Sequence, residues 1–143
     1  NTMSNLLVQN IKHTNNTTSM AIDTSGQVTI RGESSATTTN LQQGLAKVWL
    51  KYEQDTPATL DSFNVTSVTD SSTGIFLLNI ANDFSSVNHV VSITKEAESN
   101  LTNNTCYNEI ANSTAGVDKI YTVENGAVID CKNVNVADFG DLA

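Results

Sequence analysis

Residues 46–52 read Ala-Lys-Val-Trp-Leu-Lys-Tyr, and this stretch decides the fold because every second residue from Ala46 to Tyr52 is apolar. Side chains of an extended strand point alternately to opposite faces, so these apolar residues share one side. Trp49 lies on the other side, between two lysines whose charged ends can reach water along their alkyl stems. We therefore predict a β-strand covered on both sides, with Trp49 buried at a strand or subunit contact.

Similar short alternating runs follow, separated by segments rich in Asn, Ser, Thr and Gly. Further strands are predicted at residues 63–68, 75–80, 87–94, 106–111, 119–123, 127–131 and 134–139. The first of these has one residue too many for strict alternation, which indicates a β-bulge, and residues 69–74 are predicted to form a turn. No segment shows a helical period, so the spacing predicts an all-β fold with an antiparallel β-sandwich head at residues 41–143.

The amino-terminal part shows a smaller version of the same pattern. Met20 and Ile22 alternate with polar residues, as do Val28 and Ile30, and a loop containing Gly26 joins the two runs. This arrangement predicts a β-hairpin with one apolar side. A lone hairpin is marginally stable in water, so we expect that side to pack against identical copies. We divide the chain into a stalk or trimerisation segment at 1–31, a polar linker at 32–40 and the head at 41–143.

Composition and charge exclude several classes of partner. Only 15% of the 143 residues are charged, yet the formal net charge is −8, so a phosphate backbone would repel the chain. We therefore expect no binding to nucleic acid. No apolar run approaches the roughly 18 residues of a membrane-spanning helix, so we expect no membrane insertion.

Two groups of residues resemble segments of bacteriophage tail-fibre and tail-spike proteins. The first group comprises residues 10–14 and 18–29; the second comprises residues 46–50, 62–70 and 73–80. The first is similar to the start of many phage tail-fibre proteins. The second is similar to a recurrent phage pattern, in which a strand with an aromatic residue precedes Phe-Asn-Val-x-Ser and a Thr-Gly-x-aromatic hairpin. Together the two groups span most of residues 10–92, and their specificity lies in their order.

The resemblance implies a homotrimeric, structural virion protein with a stalk and a β-rich distal head. It also implies assembly in the host cytoplasm, a place in the virion as a tail appendage, and attachment to the host through a surface glycan or protein receptor. The expected partners are sister copies and other tail or virion proteins, with no cofactor and no enzymatic activity. Whether the chain joins the tail or the head of the particle stays open, and a decoration or adaptor protein without receptor binding is the alternative function.

The receptor contacts are predicted in loops at residues 99–106 and 112–117. Asn103, Asn104 and Asn112 are the candidate polar contacts, because neutral amides suit sugar hydroxyls. Tyr107 is the candidate aromatic contact, because the face of an aromatic ring suits the C–H groups of a sugar.

The ionisable residues predict no catalytic or metal site. His89 has Ser86 and Asp83 nearby in sequence, but proximity in sequence does not make a Ser-His-Asp triad. We interpret His13 and His89 as structural or surface residues. Metal binding by histidines at a trimer axis is the alternative, without neighbouring carboxylates at ligand spacing to support it.

The aspartates and the two cysteines each allow two interpretations. The aspartates that sit beside Ser, Thr or Asn are interpreted as turn formers, although a glycan depolymerase would use a pair of carboxylates. Cys106 and Cys131 have no metal-binding spacing, and they are either free thiols or a disulfide formed after release from the cell.

Overall fold

The structure is a computed structural model that describes residues 8–31, 38–96 and 105–143. Its contacts divide the chain into an N-terminal unit, Asn1–Leu45, and a C-terminal unit, Ala46–Ala143. Every described strand pairing is antiparallel, which confirms the all-β prediction. Within the described ranges the structure contains no helix with the length and apolar character needed to cross a bilayer.

The N-terminal unit is a four-stranded sheet in which neighbours in sequence are neighbours in space. Its strands are β1 (Asn10–Lys12), β2 (Thr18–Ile22), β3 (Val28–Arg31) and β4 (Thr38–Asn40). Met20 pairs with Ile30 and Ile22 pairs with Val28, as expected for the two alternating runs. None of the side chains described in this unit is buried, so this sheet has no core of its own.

The predicted linker at residues 32–40 ends in a strand. Asn40 pairs with Thr29 in β3, and the Leu41 amide donates to the carbonyl of Val28 at 2.8 Å. Residues 38–40 therefore belong to the N-terminal sheet, and the division between units falls after Leu45 instead of after Asn40. Residues 32–37 lie outside the described residues.

The C-terminal unit contains two sheets. Its strands are β5 (Val48–Glu53), β6 (Ala58–Phe63), β7 (Val65–Ser72), β8 (Ile75–Ile80), β9 (Val90–Glu96), β10 (Thr105–Asn108), β11 (Val117–Glu124), β12 (Ala127–Val128) and β13 (Asn133–Phe139). Sheet I has the order β6-β5-β13-β9. Sheet II has the order β10-β11-β8-β7, with β12 paired to β11. A short 3-10 helix, Ile110–Asn112, follows β10.

One hydrophobic core joins the two sheets. Leu50 of β5 and Val136 of β13 come from sheet I, and Phe76 of β8 and Ile120 of β11 come from sheet II. Buried and less buried residues alternate along these strands because successive side chains face opposite sides. Burying each large apolar side chain contributes about 1.5–3 kcal/mol, so the shared core holds the sheets face to face in a β-sandwich-like arrangement.

The predicted strand at 63–68 is divided between the two sheets. Asn64 has a φ of 57°, and this left-handed residue ends β6 in sheet I and starts β7 in sheet II. The predicted turn at 69–74 is also shorter than expected, because β7 continues to Ser72 and the chain reverses at Gly74. A Cβ at Gly74 would lie 2.5 Å from the amide nitrogen of Ile129, so the close approach there requires glycine.

The expectation that residues 46–52 are covered on both sides is wrong within this chain. One side of β5 is buried, but the side with Trp49 and Lys51 is exposed. Trp49 pairs with Phe63 of β6, whose side chain is 54% exposed. Period-two alternation of this kind is typical of a sheet with one face in a core and the other facing outward.

Candidate functional site

Two tyrosines form an aromatic pair on the outer face of sheet II. Tyr107 of β10 lies opposite Tyr121 of β11. Ile120, which precedes Tyr121, points into the core, so Tyr121 and the opposite Tyr107 point outward. The two ring centroids are 5.0 Å apart and the ring planes differ by 5°. Tyr107 is 46% exposed and Tyr121 is half-buried, so the aromatic surface open to solvent is mainly that of Tyr107.

A charged and polar border surrounds this aromatic pair. Lys119 Nζ lies 2.8 Å from Glu109 Oε2, and the Tyr121 hydroxyl donates to the same oxygen at 3.2 Å. The hydrogen bond from Lys119, followed by one from Asn112, lowers the pKa of Glu109, while Glu109 raises the pKa of Lys119. Both groups are therefore charged at neutral pH. We refer to Tyr107, Tyr121, Lys119, Glu109 and Asn112 as the tyrosine face.

The structure brings two of the four predicted receptor contacts into this face. Tyr107 lies in β10, and Asn112 is exposed at the end of the 3-10 helix. Asn103 and Asn104 lie outside the described residues. Sequence reasoning missed Lys119 and Glu109 because their position beside Tyr107 depends on the register between β10 and β11. Their roles as receptor contacts stay predictions.

A depression of about 440 Å³ adjoins the tyrosine face, where β9 of sheet I lies beside β10 of sheet II. Val91 and Ile93 line one side, Tyr107 and Asn108 line the other, and His89 also contributes to the wall. The depression is shallow and its sides carry few charges. It provides a recess with both polar and apolar walls next to the tyrosine pair.

Three ionisable residues meet inside the C-terminal unit near this depression. His89 immediately precedes β9, Asp118 belongs to β11, and Asp138 belongs to β13. One potential ligand atom from each residue lies within 4.8 Å of the other two. The side chains of His89 and Asp118 are 2% and 0% exposed, and Asp138 is also 0% exposed. We refer to these three residues as the His89 cluster.

Neighbouring groups hold the histidine and the first aspartate in place. His89 Nε2 lies 3.0 Å from both carboxylate oxygens of Asp118, and His89 Nδ1 lies 3.3 Å from the carbonyl oxygen of Ser86. Asn108 Nδ2 donates to Asp118 Oδ1 at 3.0 Å. The Phe84 ring stacks on the imidazole with a centroid distance of 4.1 Å.

Asp138 is the least satisfied member of the cluster. Neither of its carboxylate oxygens has a hydrogen-bond partner in the structure, although both are buried. Burial, the nearby charge of Asp118, and a hydrogen bond to Asp118 that only the protonated form can make raise the pKa of Asp138 to about 8. A buried ionised carboxylate without a donor is costly, so this position favours either a bound proton or a bound cation.

The residues close to His89 in sequence do not build the cluster. Ser86 contributes its backbone carbonyl to His89, while its side-chain hydroxyl accepts from the amide of Asn88. The carboxylate of Asp83 lies against Gly116. Sequence reasoning therefore missed Asp118 and Asp138, which tertiary folding brings to the histidine from distant strands.

The two cysteines are both free thiols in the structure. Cys106 is half-buried and Cys131 is buried in the core. Burial raises the pKa of both, that of Cys131 to about 11, so both are protonated at neutral pH and are poor nucleophiles.

No family model, curated protein or solved structure matches this chain.

Proposed function

We propose that this chain is a structural protein of a bacteriophage virion, a homotrimeric tail-fibre adhesin that binds a glycan on the host surface. The observation that supports this most is the exposed ring of Tyr107, which stacks nearly parallel on Tyr121. Tyrosine offers a large, rigid contact area at a low cost in conformational entropy. Such a surface suits the apolar face of a sugar ring.

The border of the tyrosine face adds polar groups that suit sugar hydroxyls. Glu109 supplies acceptor oxygens, Lys119 supplies donors, and the exposed amide of Asn112 supplies both. The salt bridge between Glu109 and Lys119 fixes the position of both charges beside the rings. A neutral or weakly charged glycan is the ligand class that this combination favours.

The trimer is supported by the N-terminal unit. Its described side chains include none that is buried, although Met20, Ile22, Val28 and Ile30 form an apolar set on two paired strands. Sister copies would cover these residues and would present three tyrosine faces together. Trivalent binding compensates for weak single sites because the later contacts form within one complex.

A second candidate is a decoration or adaptor protein of the virion that binds no receptor. The outer side of sheet I favours it, because Trp49, Leu60 and Phe63 are exposed there. Exposed apolar groups of this size mark contacts with other proteins. In the adhesin, the same side would contact a neighbouring virion protein.

Binding of the purified full chain to immobilised bacterial surface polysaccharides tests the proposal. Tyr107→Ala is expected to weaken binding about tenfold or more, which corresponds to about 1.4 kcal/mol per site. Phe63→Ala is the matched control, because it removes an exposed aromatic ring from the opposite sheet. It is expected to leave glycan binding unchanged.

The outcomes separate the candidates. Equal loss in both variants, or no loss with Tyr107→Ala, would contradict a sugar site on the tyrosine face. A wild-type chain that binds no polysaccharide but binds purified virions would favour the decoration or adaptor protein. Release of soluble sugar from the immobilised polysaccharide would favour a depolymerase.

A further inference from the structure

When the imidazole of His89 is neutral, its second ring nitrogen faces hydrogen-bond acceptors instead of a donor. The carbonyl oxygen of Ser86 can only accept, so His89 Nδ1 is the donor in their 3.3 Å contact. In a neutral imidazole, Nε2 then presents a lone pair. That lone pair faces two carboxylate oxygens of Asp118, each 3.0 Å away, and these also only accept. Either a proton on Nε2 or a metal ion must therefore lie between His89 and Asp118.

The charges in the His89 cluster indicate how much positive charge is needed. A neutral imidazole and the two buried carboxylates of Asp118 and Asp138 sum to −2. No donor reaches either oxygen of Asp138, which is fully buried and belongs to the same group of ligand atoms. One divalent cation would neutralise the cluster and would give Asp138 the partner that it lacks.

We propose that His89, Asp118 and Asp138 bind one divalent transition-metal ion of the Zn²⁺ type. With zinc–ligand bonds of about 2.0 Å, tetrahedral geometry places neighbouring ligand atoms about 3.3 Å apart. The Nε2–oxygen distances of 3.0 Å are close to this value, and all three ligand atoms lie within 4.8 Å. Small side-chain movements are therefore sufficient to coordinate the ion.

The donor set selects the metal. An imidazole ligand favours Zn²⁺ over Mg²⁺ and Ca²⁺, which prefer oxygen ligands throughout. The surroundings also suit a metal site, because the Ser86 carbonyl fixes the tautomer of His89 and Asn108 orients Asp118. His89 and Asn108 both line the depression, so the cluster adjoins it.

The ion would act as a cross-link between the sheets. Asp138 belongs to β13 of sheet I, Asp118 belongs to β11 of sheet II, and His89 leads into β9 of sheet I. Bound zinc would therefore stabilise the face-to-face arrangement of the C-terminal unit. The alternative in metal-free protein is two protons, one on His89 Nε2 and one on Asp138.

Zinc content and zinc titration of the purified full chain test this inference. After treatment with a chelator and dialysis, the wild-type chain is expected to take up one Zn²⁺ per chain and to melt at a higher temperature. His89→Gln and Asp138→Asn are each expected to lower zinc affinity by about 100-fold or more, since each removes a ligand. Mg²⁺ and Ca²⁺ at the same concentration are expected to produce no comparable shift in melting.

Two matched controls make the same chemical changes elsewhere. His13→Gln alters the other histidine, which is exposed, and Asp61→Asn alters an exposed aspartate of β6. Both are expected to keep the zinc stoichiometry. Absorption of the wild-type chain loaded with Co²⁺ is a further readout, and a tetrahedral site is expected to give intense visible bands.

Three results would overturn the proposal. The first is a wild-type chain that takes up neither Zn²⁺ nor Co²⁺ stoichiometrically, and the second is zinc uptake that His13→Gln abolishes. The third is uptake that survives both His89→Gln and Asp138→Asn. A metal-free Asp138→Asn chain that is more stable than wild type, with no zinc bound by either, would identify a carboxyl pair that shares a proton.

Discussion

The two units of this chain use the same alternating sequence pattern and reach opposite states of burial. In the N-terminal unit, β2 and β3 pair in register, yet no described side chain there is buried. In the C-terminal unit, β5 and β8 belong to different sheets, and Leu50 and Phe76 are buried between them. The apolar side of a sheet becomes part of a hydrophobic core only when a second sheet covers it.

This difference has an energetic consequence. A single sheet can satisfy its backbone hydrogen bonds, but it has nothing to cover its apolar side chains. A two-sheet unit removes those side chains from water and is stable through this burial. The C-terminal unit is therefore expected to supply its own stability, while the N-terminal unit is expected to depend on other molecules.

The largest expected effect comes from Phe76, which is fully buried at the centre of the shared core. Phe76→Ala should lower the free energy of unfolding of the full chain by about 3–5 kcal/mol, because it leaves a cavity between the sheets. Urea denaturation followed by tryptophan fluorescence measures this, since Trp49 lies in the same unit. Met20→Ala in the N-terminal unit should leave this transition unchanged; equal losses would remove the distinction between the units.

The next largest effect is expected on how the free energy of unfolding of the metal-free C-terminal unit depends on pH. The folded-state pKa of Asp138 is raised to about 8, so the folded state holds a proton that the unfolded chain releases near its ordinary pKa. Stability from this proton is fully present below the unfolded pKa and is lost as pH rises through about 8, with a slope of up to about 1.4 kcal/mol per pH unit. Urea denaturation in the presence of a chelator, repeated across this range, measures the slope.

Asp138→Asn supplies the comparison for that slope. It removes the titrating group while keeping a side chain of similar size. The pH-dependent loss between the two pKa values should therefore be much smaller in the variant than in the wild type. Equal slopes in the two proteins would show that Asp138 is not the group responsible.

A smaller effect is expected at Asn64, where the chain crosses from sheet I to sheet II. Asn64→Ala forces a left-handed φ on alanine and removes the acceptor for the Asn82 amide at 2.8 Å. The expected cost is about 1–2 kcal/mol in the unfolding of the C-terminal unit, and Asn64→Gly should recover part of it. Asn16, with a φ of 68°, is the matched position in the N-terminal unit. If Asn16→Ala destabilised the C-terminal unit as strongly, the independence of the two units would be wrong.

The strands that could be predicted are those whose alternation follows from local sequence. The strand predicted at residues 75–80 is confirmed as β8, and its alternation arises because one side of β8 enters the core. The division at Asn64 could not be predicted, since Phe-Asn-Val continues the alternation and only the left-handed φ separates the two strands. Asn125-Gly126 lies between the strands predicted at 119–123 and 127–131, and both residues have positive φ in the tight turn between β11 and β12.

In the candidate sites, too, only features that follow from local sequence could be predicted. Tyr107 and Asn112 could be proposed because they are close in sequence and lie in a polar part of the chain. The partnership of Tyr107 with Tyr121 depends on strand register, and the meeting of His89 with Asp138 depends on how the sheets pack. Local sequence contains neither kind of information.

The molar mass of the full chain in solution, measured by sedimentation equilibrium, tests most directly whether the N-terminal strands associate with sister copies. We predict a species three times the 15.3 kDa mass of one chain. A stable 15.3 kDa monomer across the accessible concentration range would contradict both the trimer and the trivalent adhesin built on it.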